Sequence, residues 1–114
     1  MIKRGGIYLV NFGKKYNSEF GKIRPALIIQ NDIANRNIDK VAFKGVTLIP
    51  LTTNITGGSI RVFVKKRDKL QKDSEICINE LCTLDISRID TKLTQLSIEE
   101  MDEVQRKLKT HLGI

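Results

Sequence analysis

Apolar and polar residues alternate along most of the first two thirds of the chain, a pattern typical of β-strands. The first predicted strand places Ile7 and Leu9 on one face and Tyr8, Val10 and Phe12 on the other. Further strands are predicted at 26–30, at 40–54 as one strand or two broken near Gly45, at 59–66, and at 74–85 as one strand or a pair. Pro25 can occupy the first position of its strand, where a missing N–H is tolerated.

The period changes at the C-terminus, where the spacing predicts an amphipathic helix. Its apolar face is formed by Ile98, Met101, Val104 or Gln105, Leu108 and Leu112. Ser97 and Glu100 have the spacing of a capping box, and Gly113 is a natural stop. A short helical turn capped by Asn31 or Asp32 is also expected. Many short strands and one terminal helix predict a mainly β, α+β fold: a small, highly curved antiparallel sheet or partly open barrel with a helix packed across it.

Length and composition indicate one domain over residues 1–114, without a segment able to span a bilayer or a signal-peptide core. A cytoplasmic protein is therefore expected. The two cysteines, Cys77 and Cys82, and the single histidine, His111, have neither the spacing of a zinc site nor that of a disulfide framework.

Positive charge is concentrated in the first part of the chain. Residues 1–72 carry 15 basic and 4 acidic side chains, whereas residues 73–114 carry 5 and 9. Such a distribution favours binding to a polyanion, and nucleic acid is the leading candidate, although a merely soluble basic protein has the same composition.

The residue inventory limits which nucleic-acid chemistry is possible. Few carboxylates lie in the basic part and none are paired, which argues against a nuclease that holds divalent metals. RNA can be cleaved without metal or cofactor, because its 2′-hydroxyl attacks the neighbouring phosphate when a base accepts the proton and donors stabilise the charge. The usual histidine pair is absent. Arg24 and Thr52 are then candidate phosphate donors, and Glu19 is a candidate base. Each has an ordinary alternative as a surface charge or a strand-ending turn.

The order of these motifs resembles the MazF/PemK family of toxin–antitoxin endoribonucleases over essentially the whole chain. The matching segments are KRGGIYLVNF, SEFGKIRPALIIQND, VTLIPLTTN and ELCTLDISRI, followed by the C-terminal helix. The resemblance implies an SH3-like curved barrel, shared with gyrase-poisoning toxins, that works as a homodimer. It also implies cleavage of single-stranded RNA, without metal or cofactor, to a cyclic phosphate and a 5′-hydroxyl, and a cognate antitoxin that occupies the RNA groove.

By the same resemblance, Arg24, Thr52 and Glu19 fall on the family's catalytic positions. Basic, polar and aromatic residues near them are expected to contact RNA: Lys14, Lys15, Phe20, Lys22, Thr53, Asn54 and Arg61. No metal-binding residue is expected.

Three positions depart from the family pattern. Gly6 replaces an acidic residue, Phe20 replaces a glutamine, and Cys82 replaces the arginine of R-T-[IVL]-D. These changes are compatible with a different cleavage sequence or a weakened enzyme, and Phe20 could add a stacking surface for an unpaired base. Two alternatives to an active nuclease stay open: a non-catalytic gyrase poison on the same fold, and an inactive relative that binds RNA or antitoxin.

Overall fold

A computed structural model describes residues 1–13 and 22–114, which form one curled antiparallel sheet and a long C-terminal helix. The strands are β1 (Gly6–Asn11), β2 (Ile23–Ile28), β3 (Gly45–Thr52), β4 (Arg61–Val64), β5 (Ser74–Cys77), β6 (Cys82–Asp85) and β7 (Ile89–Gln95). The helices are α1 (Asp32–Arg36) and α2 (Ile98–Leu112). The hydrogen-bonded order is β4-β5-β3-β2-β1-β7, and β6 pairs with β3. The predicted small curved sheet with a C-terminal helix is confirmed.

Strand β3 organises the sheet because it pairs with three others. Along one edge it pairs with β2; along the other, its first half pairs with β6 and its last two residues, Leu51 and Thr52, pair with β5. The chain therefore leaves β3 at a corner of the sheet where β2, β3 and β5 meet.

The two faces of the sheet bury two separate apolar clusters, as the alternation in β1 predicts. One face contributes Ile7, Leu27, Ile49 and Ile76 to a cluster that α2 closes with Val104. The opposite face contributes Tyr8, Val10, Ala26, Ile28 and Leu48 to a second cluster. Residues that alternate along one strand thus belong to different environments, which decides where each candidate functional side chain lies.

Helix α2 begins and ends with the signals that its sequence predicts. The Ser97 side chain accepts a hydrogen bond from the backbone N–H of Glu100, at 3.1 Å, and the Glu100 carboxylate accepts one from the Ser97 N–H, at 2.8 Å. Gly113 ends the helix in the left-handed conformation, with φ of 74°. The Glu100 carboxylate also accepts two hydrogen bonds from the guanidinium of Arg67, so the residue that caps α2 also connects the helix to the segment before β5.

We expect Ser97→Ala to lower the free energy of unfolding by about 1 kcal/mol, because the N–H of Glu100 loses its acceptor at the start of α2. Urea denaturation followed by circular dichroism measures this change. Ser59→Ala, at an exposed position outside the helices and strands, is the matched control and should leave stability unchanged. Equal stability of the two variants would contradict a stabilising cap.

Three sequence predictions about strands were wrong. The strand predicted over 40–54 begins only at Gly45, so residues 40–44 lie outside it. Strand β2 begins at Ile23 rather than near Ala26, so that Arg24 and Pro25 lie inside it. A residue that precedes proline is biased towards extended backbone, and this bias extends the strand back through Arg24. Strand β7 was not predicted at all, because its sequence IDTKLTQ is mostly polar and exposed. It is held instead by pairing with β1. No helix within the described ranges is long and apolar enough to cross a membrane.

Candidate functional site

Arg24 and Thr52 lie just beyond the last residue pair that joins β2 and β3. The β2–β3 ladder runs from Ile28 paired with Leu48 to Ala26 paired with Pro50, where it ends. The same antiparallel offset, continued by two residues, sets Arg24 across from Thr52. Side chains two apart on a strand share a face, so both residues project from the face that carries Ala26 and Pro50. Two residues that are 28 positions apart in the sequence therefore converge at one corner of the sheet.

Arg24 is half-buried. Its charge reaches Cys77: burial raises the pKa of that thiol, while the positive charges of Arg61 and, more weakly, Arg24 oppose the rise. A guanidinium keeps its charge when it is partly desolvated and presents a planar set of donors. Arg24 therefore supplies a fixed positive charge at the corner of the sheet.

The hydroxyl of Thr52 is oriented by the turn that follows β3. Its Oγ1 accepts a hydrogen bond from the backbone N–H of Asn54, at 3.1 Å. Because the oxygen serves as the acceptor in this contact, the hydroxyl hydrogen can be donated outward to an anion. The expectation that Thr52 ends its strand is confirmed.

A buried carboxylate that the sequence did not reveal fixes the loop after Thr52. Glu75 pairs with Thr52 across β3 and β5 and is 3% exposed. Its oxygens accept hydrogen bonds from the backbone N–H groups of Thr56 and Gly57, at 3.0 and 2.9 Å, and from Nη1 of Arg61, at 2.9 Å. Burial by itself raises the pKa of Glu75, but these hydrogen bonds and the charge of Arg61 outweigh it and lower the pKa.

Arg61 is engaged within this network. Besides Glu75, its Nη1 donates to the carbonyl oxygen of Asn54, at 3.1 Å. We call Glu75, Arg61 and the loop 53–58 that they hold the loop clamp. Its visible role is to fix the turn that carries Thr53 and Asn54, both of them exposed next to Thr52. The expectation that Arg61, Thr53 and Asn54 contact RNA stays a prediction.

Lys22, directly before β2, is held by a backbone hydrogen bond to the residue that follows β1. The backbone N–H of Phe12 donates to the Lys22 carbonyl, at 2.7 Å, and Lys22 itself is left-handed, with φ of 63°. The side chain is exposed two residues before Arg24. The remaining predicted site residues, Lys14, Lys15, Glu19 and Phe20, lie outside the described residues.

Cys82 lies on the same face as Arg24, at the beginning of β6. It pairs with Leu48, and burial raises the pKa of its thiol, with a further contribution from the charge of Glu80. Cys82 is therefore neutral near pH 7, and the local charge comes from a carboxylate instead of the arginine expected from the family pattern. A cavity of about 340 Å³ beside it is lined by Phe12, Pro50, Asn79 and Glu80 among others. Sequence reasoning did not single out Asn79 and Glu80, because only the return of β6 to β3 brings them near Pro50.

Within residues 1–13 and 22–114, no three His, Cys, Asp or Glu side chains are grouped so that they could hold a metal ion. The corner of the sheet instead offers the guanidinium of Arg24 and the hydroxyl of Thr52, while the Glu75 carboxylate there is occupied by Thr56, Gly57 and Arg61. Such a set is suited to binding an anion with charge spread over several oxygens.

Solved structures of toxins share this small curled antiparallel sheet with a C-terminal helix. MazF from Deinococcus radiodurans superposes with a TM-score of 0.79 at 24% identity, covering 99% of this chain and 97% of that one. An endoribonuclease from a mycobacterial species, solved in complex with its cognate antitoxin, gives a TM-score of 0.78 at 23% identity, covering 100% and 97%.

Sequence comparison shows the family. The chain belongs to the PemK-like, MazF-like toxins of type II toxin–antitoxin systems, whose family model matches residues 3–112. It is 38% identical to the endoribonuclease MazF of Staphylococcus epidermidis, in an alignment that covers 100% of this chain and 93% of that protein. The resemblance stated from the sequence motifs is therefore confirmed.

Proposed function

We propose that this chain is an endoribonuclease toxin that cleaves single-stranded RNA at short sequences by attack of the 2′-hydroxyl on the neighbouring phosphate. The observation that carries the proposal is the register that brings Arg24 and Thr52 to the same face at one corner of the sheet. One residue supplies permanent positive charge and the other a directed hydroxyl. Together they suit a phosphate whose charge increases in the transition state.

The reaction forms the bond between the 2′-oxygen and phosphorus and breaks the bond between phosphorus and the 5′-oxygen. The products are a 2′,3′-cyclic phosphate and a 5′-hydroxyl. Glu19 accepts the proton of the 2′-hydroxyl, Arg24 stabilises the charge on the phosphate oxygens, and Thr52 holds one of them. The leaving 5′-oxygen takes a proton from a water molecule as it departs, and the resulting hydroxide is neutralised by the proton that Glu19 releases. A guanidinium is a poor acid at neutral pH, so the main contribution of Arg24 is its charge.

The proposed toxin has two protein partners. A cognate antitoxin with an acidic segment suits a protomer of net charge +7. The second partner is another copy of the chain: Phe12, Leu84 and Ile89 are only partly buried where they pack on the second apolar cluster. An apolar face of this kind is covered in a homodimer. Light scattering of the purified protein should give twice the mass of one chain.

The proposed function is tested by incubating the purified protein with a long single-stranded RNA in excess EDTA. We expect discrete fragments whose positions are unchanged by the chelator, and 2′,3′-cyclic phosphate at the newly formed ends, measured by mass spectrometry. Fragments that appear only when Mg²⁺ is added, or that carry 3′-hydroxyl ends, would contradict the mechanism. Intact RNA combined with inhibition of gyrase supercoiling would favour the non-catalytic alternative.

The cysteine at position 82 offers a gain-of-function prediction. We expect Cys82→Arg to tighten RNA binding about threefold and to steepen the dependence of log K on log salt concentration by about one, because one more cation pairs with phosphate. Fluorescence anisotropy with a labelled RNA oligonucleotide, over a salt series, measures both quantities. Cys82→Met adds length without charge and should leave the slope unchanged. Identical slopes for the two variants would place position 82 away from the RNA.

A further inference from the structure

The described part of the chain contains a cavity that the catalytic proposal leaves unused, at the open end of the curled sheet. It measures about 300 Å³ and lies between the ends of β2 and β3 and the basic segment 65–72. Its walls include Leu9, Pro25 and Leu70, and its rim includes Thr53, Lys69 and Lys72. We call this cavity the barrel-end pocket.

Apolar surface forms the inside of the barrel-end pocket. Leu70 is 3% exposed, and Pro25 and Leu9, which pair with each other across β2 and β1, are half-buried. Such walls can cover both faces of a flat ring, since a base binds apolar or aromatic surface through its π-face whatever its sequence identity.

The rim of the pocket is positively charged. Lys69 and Lys72 are exposed and lie at its edge, whereas Arg67, in the same segment, is held by Glu100 through hydrogen bonds of 2.9 and 2.7 Å. In this segment Arg67 therefore has a structural role, whereas Lys69 and Lys72 place positive charge beside an apolar cavity. A ligand with a flat apolar body and an anionic group attached to it matches this arrangement.

The pocket adjoins the proposed catalytic residues by direct chain connection. Pro25 follows Arg24 on β2, and Thr53 follows Thr52 after β3. Neighbouring residues on a strand project to opposite faces, with their Cα atoms about 3.8 Å apart. The pocket therefore begins at the residues next to Arg24 and Thr52, on the other face of the sheet, and an RNA strand that passes over this corner meets both.

We infer that the barrel-end pocket binds the base of a nucleotide next to the cleaved phosphate, with Lys69 and Lys72 pairing with its phosphate. Thr53 and Gln71, also at the rim, can hydrogen-bond the edge of the base. The inference that this nucleotide belongs to the substrate rests on the proposed function. Binding of a nucleotide by the pocket does not depend on it, and is measured separately.

The first test uses single nucleotides and no cleavage. The amide resonances of Thr53, Leu70 and Ser74, all at the pocket, are followed by NMR while adenosine, cytidine, guanosine or uridine 5′-monophosphate is added, with ribose 5-phosphate as the control without a base. At least one nucleotide should shift these resonances and bind about tenfold more tightly than ribose 5-phosphate, the effect expected for one stacked base. Equal binding of ribose 5-phosphate, or no shift at these amides, would overturn the inference. So would shifts produced by a short acidic, leucine-containing peptide and by none of the nucleotides.

Matched double variants test whether Lys69 and Lys72 supply the positive charge that binds the nucleotide phosphate. The double variant Lys69→Gln/Lys72→Gln should weaken binding of the preferred nucleotide about fivefold, which is the size expected for two exposed ion pairs. Lys65→Gln/Lys66→Gln removes the same charge from the same segment at exposed positions that do not line the pocket. This control should retain wild-type affinity. Equal loss in both double variants would reduce the effect to general electrostatics and overturn the assignment.

The second test connects the pocket to the substrate. Once a cut has been mapped, single abasic nucleotides are introduced at each position around it. One position next to the cut should lower kcat/KM about tenfold for the wild type, and by less for Lys69→Gln/Lys72→Gln, because the base and phosphate contacts hold the same nucleotide in the pocket. If RNA is cleaved and abasic substitution has no effect there, the pocket inference fails while the proposed function stands. If nucleotides bind the pocket and RNA is not cleaved, the proposed function fails while the nucleotide site stands.

Discussion

Arg24→Ala should lower kcat/KM for RNA cleavage by about 10³-fold, the size expected when a preorganised cationic donor is removed from a developing phosphate charge. KM should change little, since the remaining basic surface still binds the RNA backbone. Arg24→Lys keeps the charge but loses the planar set of donors. We expect its kcat/KM to lie between those of Arg24→Ala and the wild type, about 10²-fold below the wild type. Initial rates on a short RNA that spans one mapped cut measure these changes.

The matched control for Arg24 is Arg106→Ala. Arg106 is exposed on α2, and its removal changes the net charge by the same amount. It should cleave within about twofold of the wild type, as expected for loss of one screened surface charge. Equal activity of the two alanine variants would show that Arg24 has no special role. Thr52→Val tests the second donor, and the loss in the double variant should be smaller than the product of the two single losses, because both groups act on one phosphate.

Glu75→Gln should lower the free energy of unfolding at pH 7 by about 2 to 3 kcal/mol, because it leaves Arg61 with a neutral partner and weakens the acceptor of two loop N–H groups. Cleavage should fall as well, by about tenfold, since the loop clamp orients the turn that directly follows Thr52. Urea denaturation measures stability. Asp90→Asn, at an exposed carboxylate of β7, is the matched control and should change neither quantity.

The Glu75 contribution should also depend on pH in one direction. Its pKa in the folded protein lies below the ordinary value of 4.5, which is the value expected in the unfolded chain. The stabilisation is therefore complete above about pH 4.5 and is lost as the pH falls through the folded pKa. The difference in unfolding free energy between wild type and Glu75→Gln should be constant from pH 5 to 7 and should shrink below 4.5. A difference that grows on acidification would contradict the ionised, hydrogen-bonded state of Glu75.

Local signals in the sequence predicted those elements whose determinants are themselves local. Ser97 and Glu100 marked the start of α2, Asn31 marked that of α1, and the alternation in β1 correctly assigned Ile7 and Tyr8 to opposite faces. By contrast, β7 is polar and exposed, and its strand conformation comes from pairing with β1, which lies far away in the sequence. Periodicity within a segment carries no information about such a partner.

The candidate site could be predicted only in part, for the same reason: its residues are brought together by partners that are distant in the sequence. Residue chemistry and the order of motifs made Arg24 and Thr52 candidates, but neither shows that they come together, because that follows from the register of β2 and β3. Nothing near Glu75 in the sequence distinguishes it from a surface carboxylate, since its partners come from residues 56, 57 and 61. The barrel-end pocket likewise arises where β1, β2 and the basic segment meet, and no single stretch of sequence indicates it.

The central claim is that the RNA supplies its own nucleophile to a phosphate held by Arg24 and Thr52. The most direct test replaces one ribonucleotide, the one on the 5′ side of a mapped cut, with its 2′-deoxy counterpart and leaves the rest of the substrate unchanged. The mechanism predicts that cleavage at that bond disappears while cuts at other sites in the same RNA continue at their normal rate. Cleavage at the deoxy-substituted bond would mean that water or another group attacks the phosphate, and would contradict the mechanism.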